Sequence, residues 1–214
     1  AKKIEPIELC DQNSQIFRDL TVSLNLSNDD FIRTTEERHI DGASYLWKRL
    51  YERDQIYLGE YTGWYSINDE TFYNEKDLVK QNDGSFKTTT GGPVEWITEK
   101  SYFFKLSAWS DKLLDLYKNN PNFISPTSKR NEVVKFVESG LNDLSVSRTS
   151  FEWGIKTPTD DAHIMYVWLD ALTCYANGVS YLNDKENELK EYWKNVVHIV
   201  GKDILRHHAV YWPA

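Results

Sequence analysis

The sequence predicts an α/β chain in which a small β-rich module interrupts a helical background. Three observations predict it. Apolar residues recur at helical spacing before residue 53 and again between 107 and 139. Between them lies an aromatic, β-prone stretch punctuated by Gly59, Gly63, Gly84, Gly91 and Gly92. After residue 143, short apolar runs alternate with helical segments, the grammar of a strand–helix–strand unit with a right-handed crossover.

Residues 5–25 read as a helix. Pro6 suits its first turn, and Ile7, Phe17, Leu20 and Leu24 form a stripe expected to be buried. Thr34-x-x-Glu37 has the form of a capping box and opens a second helix to about Glu52, with His39, Ala43, Leu46, Trp47 and Leu50 facing inward. Gly42 weakens that helix. Residues 56–67, IYLGEYTGWYSI, predict a hairpin broken at Gly59 and Gly63, and residues around 68–78 are turn-like. Asn82-Asp83-Gly84-Ser85 and Gly91-Gly92-Pro93 mark further turns. Helices return at Ser107–Lys118 and Ser128–Ser139, with Gly140 as a C-cap. Leu144–Arg148 and His163–Trp168 predict strands, Asp170–Leu182 a helix and Val196–Val200 another short apolar run. Gly201-Lys202-Asp203 then leads into a last helix. The boundaries expected are 1–56 for the first helical part, 57–142 for the insertion (β-rich over 57–104, helical over 107–140) and 143–214 for the second α/β part.

Composition narrows the function classes. The 214 residues suffice for a sizeable core, and 40% hydrophobic with 27% charged residues is ordinary for a soluble globular chain. The net charge is −8, and no Lys/Arg run forms a nucleic-acid patch. Cys10 and Cys174 fit neither a CxxC pair nor a disulfide framework, so reduced thiols are the default. No apolar run approaches the length of a membrane span, and no signal peptide is evident. The chain stops at Val210-Tyr211-Trp212-Pro213-Ala214, inside an apolar pattern without a helix stop, which predicts a fragment of a longer protein. Nothing in the sequence speaks to an oligomeric state.

In a strand–helix–strand unit, ligands bind beyond the carboxyl ends of the strands, which here are Trp168 and Val200. Trp168, Leu172 and Tyr175 share a helical face with small Ala171 between them. They fit an apolar pocket edged by a hydroxyl, and they fit a plain core patch as well. Gly201 permits close backbone approach, and Asp203 suits either sugar hydroxyls or a helix cap. His207 and His208 point about 100° apart on a helix, a poor arrangement for holding one metal ion with Cys174. Ser147-Arg148 fits a carboxylate or phosphate contact as readily as a surface salt bridge. No P-loop, GxSxG or HExxH motif is present.

The string YVWLDALTCY (166–175) together with HIVGKDILRHHAVYWPA (198–214) resembles the second half of the methionyl-tRNA synthetase catalytic fold. LSVSRTSFEWGI (144–155) resembles the segment that leads into it, and LNLSNDDFIRTTEERH (24–39) a stretch late in the first half. YLGEYTGWYSINDETFY and GGPVEWITEKSYFFKLS resemble the connective-peptide domain inserted between the halves. The resemblance spans essentially the whole chain in the family's order. It implies a partial Rossmann-like class I synthetase catalytic domain carrying a β-rich insertion. It further implies activation of L-methionine with ATP and Mg²⁺ to an adenylate and transfer to tRNA(Met), in a bacterial cytoplasm or an organellar matrix. On the same ground Trp168, Ala171, Leu172, Tyr175, Ile204 and His208 would line the methionine pocket. His208 or the Tyr175 hydroxyl would offer the sulfur a weak hydrogen bond. Gly201 and Asp203 would meet the adenosine ribose, and Arg148 and Lys202 the phosphates or the substrate carboxylate, as the catalytic pair.

Departures from the family pattern set further expectations. The His-Ile-Gly-His-type and Lys-Met-Ser-Lys-Ser-type signatures are absent, so this chain alone should not form the adenylate. Ser66 and Asp69 stand at what resemble the first cysteine positions of a zinc knuckle, so no zinc is expected. His207 stands where an apolar residue is more usual. Among rivals, a leucine-, isoleucine- or valine-type synthetase would carry an editing insertion larger than residues 57–104. A non-catalytic RNA-binding or scaffold module would also lack both signatures. A dehydrogenase would need a GxGxxG after a strand, and none occurs.

Overall fold

The computed structural model describes residues 4–66, 71–73, 75–81, 83–150, 152–179 and 191–214. Helix α1 (Pro6–Ser23) starts at the expected proline, and α2 (Glu37–Glu52) ends where expected. Two finer expectations fail. The α1 stripe is not buried: Phe17 is 61% and Leu24 59% exposed, and Ile7 and Leu20 are exposed too. Helical periodicity marks an apolar face but does not supply what covers it. Nor does Thr34 form a capping box. The cap residue of α2 is Glu36, without a side-chain cap bond, so Glu37 opens the helix instead of standing three residues inside it.

The expected hairpin at 56–67 is one continuous strand, β1 (Ile56–Ser66). Short β2 (Thr71–Tyr73), β3 (Val79–Lys80) and β4 (Phe86–Lys87) follow, then β5 (Glu95–Phe104). β1 pairs antiparallel with β5 from Ile56↔Phe104 to Tyr65↔Glu95. Gly59 is not a turn. A Cβ there would lie 3.1 Å from Cδ2 of Phe103, whose ring stacks on Tyr57, so glycine makes room for a cross-strand aromatic pair. β5 is exposed at Glu95 and Trp96 and buried through Ser101–Phe104, so the ribbon roots in the core and projects outward. Gly84 and Gly91 adopt φ of +84° and +88° in the expected turns, which only glycine tolerates freely. Asn82, Asp69 and the end of the helix expected to reach Leu182 lie outside the described residues.

Helices α3 (Ser110–Asn119) and α4 (Thr127–Glu138) bury Leu113, Tyr117, Val133 and Val137. Gly140, at φ +93°, terminates α4 as expected. The strand expected over 144–148 divides at buried Val146. β6 (Leu144–Ser145) pairs with β5, while β7 (Ser147–Arg148) joins β8 (Lys156–Thr157) and β9 (Asp160–Met165) in the order β7-β9-β8. β9 stops at Met165, and α5 (Val167–Gly178) begins directly, which moves Trp168 from a strand end into a first helical turn.

Residues 196–200 form no strand, and every strand pair among the described residues is antiparallel. The expected parallel crossover is therefore not formed within them. Val197 is 81% and Ile199 95% exposed. A short apolar run becomes a parallel strand only beside a neighbouring strand, and the described residues offer it none. A 3₁₀ turn at Lys202–Ile204 leads into a wide helical turn over His207–Tyr211.

The core gathers Trp47 of α2, Tyr102 and Phe104 of β5, Leu113 and Tyr117 of α3, Val133 and Val137 of α4, and Val210. Trp47 meets Tyr102 edge-on at 5.3 Å, and the Tyr117 hydroxyl donates to the Ala209 carbonyl at 2.6 Å. Among the described residues no helix is long and apolar enough to cross a membrane.

Candidate functional site

Helix α5 carries Trp168, Ala171, Leu172 and Tyr175 at positions i, i+3, i+4 and i+7, which share one face. The helical turn at 207–211 packs against it and fixes two of the four. The Trp168 ring stacks on His207, centroid to centroid 3.4 Å and 21° from parallel. The Tyr175 hydroxyl lies 2.6 Å from Nε2 of His208, and Nδ1 of His208 lies 2.9 Å from the Ile204 carbonyl.

That pair of bonds fixes the tautomer of His208. A carbonyl only accepts, so Nδ1 carries the proton and donates to Ile204; the lone pair on Nε2 then accepts from Tyr175. Both donors expected to serve a substrate sulfur are therefore already engaged. A thioether would gain the Tyr175 hydroxyl only by displacing it from His208.

His198, which pattern reading passed over, packs against Tyr175 at 4.4 Å between ring centroids. Burial, with His208 nearby, holds the His198 imidazole below its ordinary range. Burial does the same to His207, reinforced by His208 and Arg206. The aromatic lining at these two rings is thus biased toward the uncharged state, which suits an apolar ligand.

Some of the expected site residues line one or other of two cavities. One, of about 250 Å³, is lined by Trp168 and Leu172 together with Leu46, Leu50, Phe104 and Tyr211. The other, of about 670 Å³, is lined by Gly201, Lys202 and His208 together with Phe123, Lys129 and His198. Trp168, on the wall of the smaller cavity, stacks on His207, and His208, on the wall of the larger, bonds Tyr175. Ala171, Tyr175, Ile204, Asp203 and Arg148 line neither. Asp203 is exposed, and Ile204 contributes through its carbonyl.

Arg148 is 6% exposed on β7. Its guanidinium stacks on Tyr166 at 4.1 Å and donates to the Ser147 carbonyl at 2.8 Å and to the Ser145 hydroxyl. Nε of Arg148 is buried without a partner, and among the described residues no carboxylate pairs with the side chain. It is a buried cation with bonding capacity to spare.

Among the described residues, no three His, Cys, Asp or Glu side chains converge as metal ligands. Burial, with the Asp170 carboxylate adding to it, pushes the Cys174 thiol up to about 11, so at neutral pH it is not a thiolate ligand. At the ribbon tip Ser66 is fully buried, and Trp64 packs against Phe86 at 4.7 Å and Trp96 at 5.2 Å.

One further contact was invisible to sequence reading. Nε2 of His39, in the first turn of α2, lies 2.6 Å from Oδ1 of Asp170, in the first turn of α5. The two are 131 positions apart, and no local pattern connects them.

The family described as "tRNA synthetases class I (M)" matches residues 1–214. The chain is 53% identical over 213 residues to the methionine--tRNA ligase of Rickettsia conorii, covering 100% of this chain and 41% of that protein. It is 51% identical over 216 residues to the methionine--tRNA ligase of Rhizobium meliloti, covering 100% of this chain and 42% of that one. The Mycobacterium tuberculosis methionyl-tRNA synthetase in complex with methionyl-adenylate superposes with a TM-score of 0.88 at 46% identity, over 99% of this chain and 42% of that chain. The apo form of the same enzyme gives a TM-score of 0.84 over 100% of this chain and 43% of that chain. The chain thus spans about two-fifths of the length of the relatives it matches. The family match runs from the first residue to the last, and the chain belongs to the methionine-type class I tRNA synthetases.

Proposed function

We propose that this chain is the central part of a methionine--tRNA ligase, which activates L-methionine with ATP, as the Mg²⁺ complex, and passes the methionyl group to tRNA(Met). In this reading residues 1–56 end the first half of the Rossmann-like catalytic domain, 57–142 form the connective-peptide insertion and 143–214 begin the second half. The observation that carries the reading is the face of α5. Trp168 and Tyr175 are each held by one of two adjacent histidines, and Leu172 lines a small apolar cavity beside Trp168. An unbranched thioether packs well on such rings. A branched aliphatic side chain would forfeit the sulfur–aromatic contact, which favours methionine over leucine, isoleucine or valine.

The remaining roles follow from charge and space. Arg148, buried and without a carboxylate partner among the described residues, would hold the substrate carboxylate or the α-phosphate through its guanidinium fork. Lys202, on the rim of the larger cavity, would lie beside the phosphates, while Gly201 and Asp203 would meet the ribose. Among the described residues no atom lies within 4 Å of where a Cβ at Gly201 would stand, which leaves the backbone there room for a ligand. The reaction joins a carboxylate oxygen to the α-phosphorus and releases pyrophosphate. These groups orient the two reactants and stabilise the developing phosphate charge. The ribbon tip, packed with Trp64, Phe86 and Trp96, would need no zinc; metal analysis finding one zinc per chain would refute that. The bacterial relatives support a bacterial cytoplasm or an organellar matrix.

Amino-acid-dependent ATP–pyrophosphate exchange tests the reading. A full-length protein containing this segment should exchange when methionine is added. The 214-residue chain by itself should not, because it has neither family signature. Methionine-dependent exchange by the chain alone would show that its own residues suffice.

A further inference from the structure

Residues that grip α5 from behind decide where its pocket face points. The cap residue of α5, Tyr166, makes no side-chain cap bond. The helix is also held by the imidazole of His39, which is fully buried. Asp170 meets Nε2 of His39 at 2.6 Å. Two turns further along, Asn177 places Nδ2 3.2 Å from Nδ1 of His39 and 3.3 Å from the His39 carbonyl. The backbone carbonyl only accepts, so the Asn177 amide orientation is settled and its NH₂ group donates to both. Nδ1 of His39 therefore accepts, and Nε2–H donates to the Asp170 carboxylate. Gly42 lets the grip close, since a Cβ there would fall 1.8 Å from Oδ1 of Asn177.

We propose that His39 is a positioning residue for amino-acid recognition. By fixing Asp170 and Asn177 together it sets the rotation of α5 and thereby the placement of Trp168, Ala171 and Tyr175. The proposal rests on the methionine-pocket reading above. Asp170 is next to Ala171 and two residues from Trp168 in the chain. Side chains extend roughly 5 Å from a helix axis, so a 20° rotation displaces them by roughly 2 Å. A misplacement of about 1 Å can cost about 100-fold in a positioned site. His39 is on α2 and lines neither cavity, so its effect must pass through α5.

The test is steady-state ATP–pyrophosphate exchange by the full-length protein containing this segment, with KM measured separately for methionine and for ATP. His39→Ala should raise the methionine KM about tenfold and leave the ATP KM within about twofold. His39→Gln restores an N–H donor toward Asp170 and should recover most of the loss. A purely stabilising role would lower the melting temperature and leave the methionine KM unchanged. That result overturns the proposal, as do equal rises in both KM values. Should His39→Ala fail to fold, Gly42→Ala serves instead, because it dislodges Asn177 alone. It should raise the methionine KM by roughly threefold, and an unchanged KM overturns the proposal. Absence of methionine-dependent exchange in the unsubstituted protein refutes the functional reading and this inference together. A normal unsubstituted enzyme with unresponsive variants refutes the inference alone.

Discussion

Gly42→Ala should destabilise the protein even though alanine is the better helix former. In an exposed helix interior the change would gain about 1 kcal/mol. Gly42 is buried in α2 against α5, and the new Cβ would lie 1.8 Å from Oδ1, 2.3 Å from Cγ and 2.4 Å from Nδ2 of Asn177. Asn177 is short and 7% exposed, and moving it off the new Cβ breaks its bonds to His39. Two hydrogen bonds at about 1 kcal/mol each would go, and buried polar atoms left unpaired would add about 1–3 kcal/mol. After the helix-propensity gain the net loss is about 2–4 kcal/mol. For a chain of this size that lowers Tm by roughly 5–15 °C. Thermal unfolding followed by circular dichroism reads it directly. The penalty should shrink when His39→Ala is already present, because the partner is then gone. An unchanged or higher Tm for Gly42→Ala would refute the reasoning and leave the His39–Asp170–Asn177 contact without energetic weight.

Tyr175→Phe removes the donor to His208 and leaves a buried lone pair on Nε2. It should cost about 1–3 kcal/mol of stability, measured by chemical denaturation. The same variant should retain most of its affinity for methionine, because the hydroxyl is spent on His208; loss of nearly all binding, read by calorimetry, would place the hydroxyl on the sulfur. Acidification should destabilise the fold in the range governed by His198 and His207. Their folded-state values lie below the ordinary 6.5, so the unfolded chain takes up protons first as pH falls. The stability conferred by the neutral rings is complete above 6.5 and is lost as pH drops through the folded values. Tm measured from pH 7.5 downward should fall, and His207→Phe should flatten the slope.

What the sequence made legible depended on how local the cause was. Helices α2, α3 and α4 were readable because Trp47, Leu113, Tyr117, Val133 and Val137 recur at helical spacing and meet one another in the core. The α1 stripe was equally periodic, and the described residues leave it uncovered. Gly59 was misread as a turn because its cause is a Phe103 ring on another strand, brought opposite Tyr57 by the β1–β5 register. The run at 196–200 has strand composition but no neighbouring strand among the described residues. For the site, resemblance supplied the α5 and 198–214 strings, while spacing alone left Trp168, Leu172 and Tyr175 open between pocket and core. The stacking of Trp168 on His207 and the engagement of Tyr175 by His208 required the fold. So did the bond from His39 to Asp170, which no pattern in either helix announces.

The central claim is that the α5 face and its two histidines form a site selective for methionine. Amino-acid-dependent ATP–pyrophosphate exchange by the full-length protein containing this segment, comparing methionine with leucine, isoleucine and valine, tests it most directly. The account predicts exchange with methionine and none above background with the branched amino acids. Exchange driven by any of those three, or by none of the four, would contradict it.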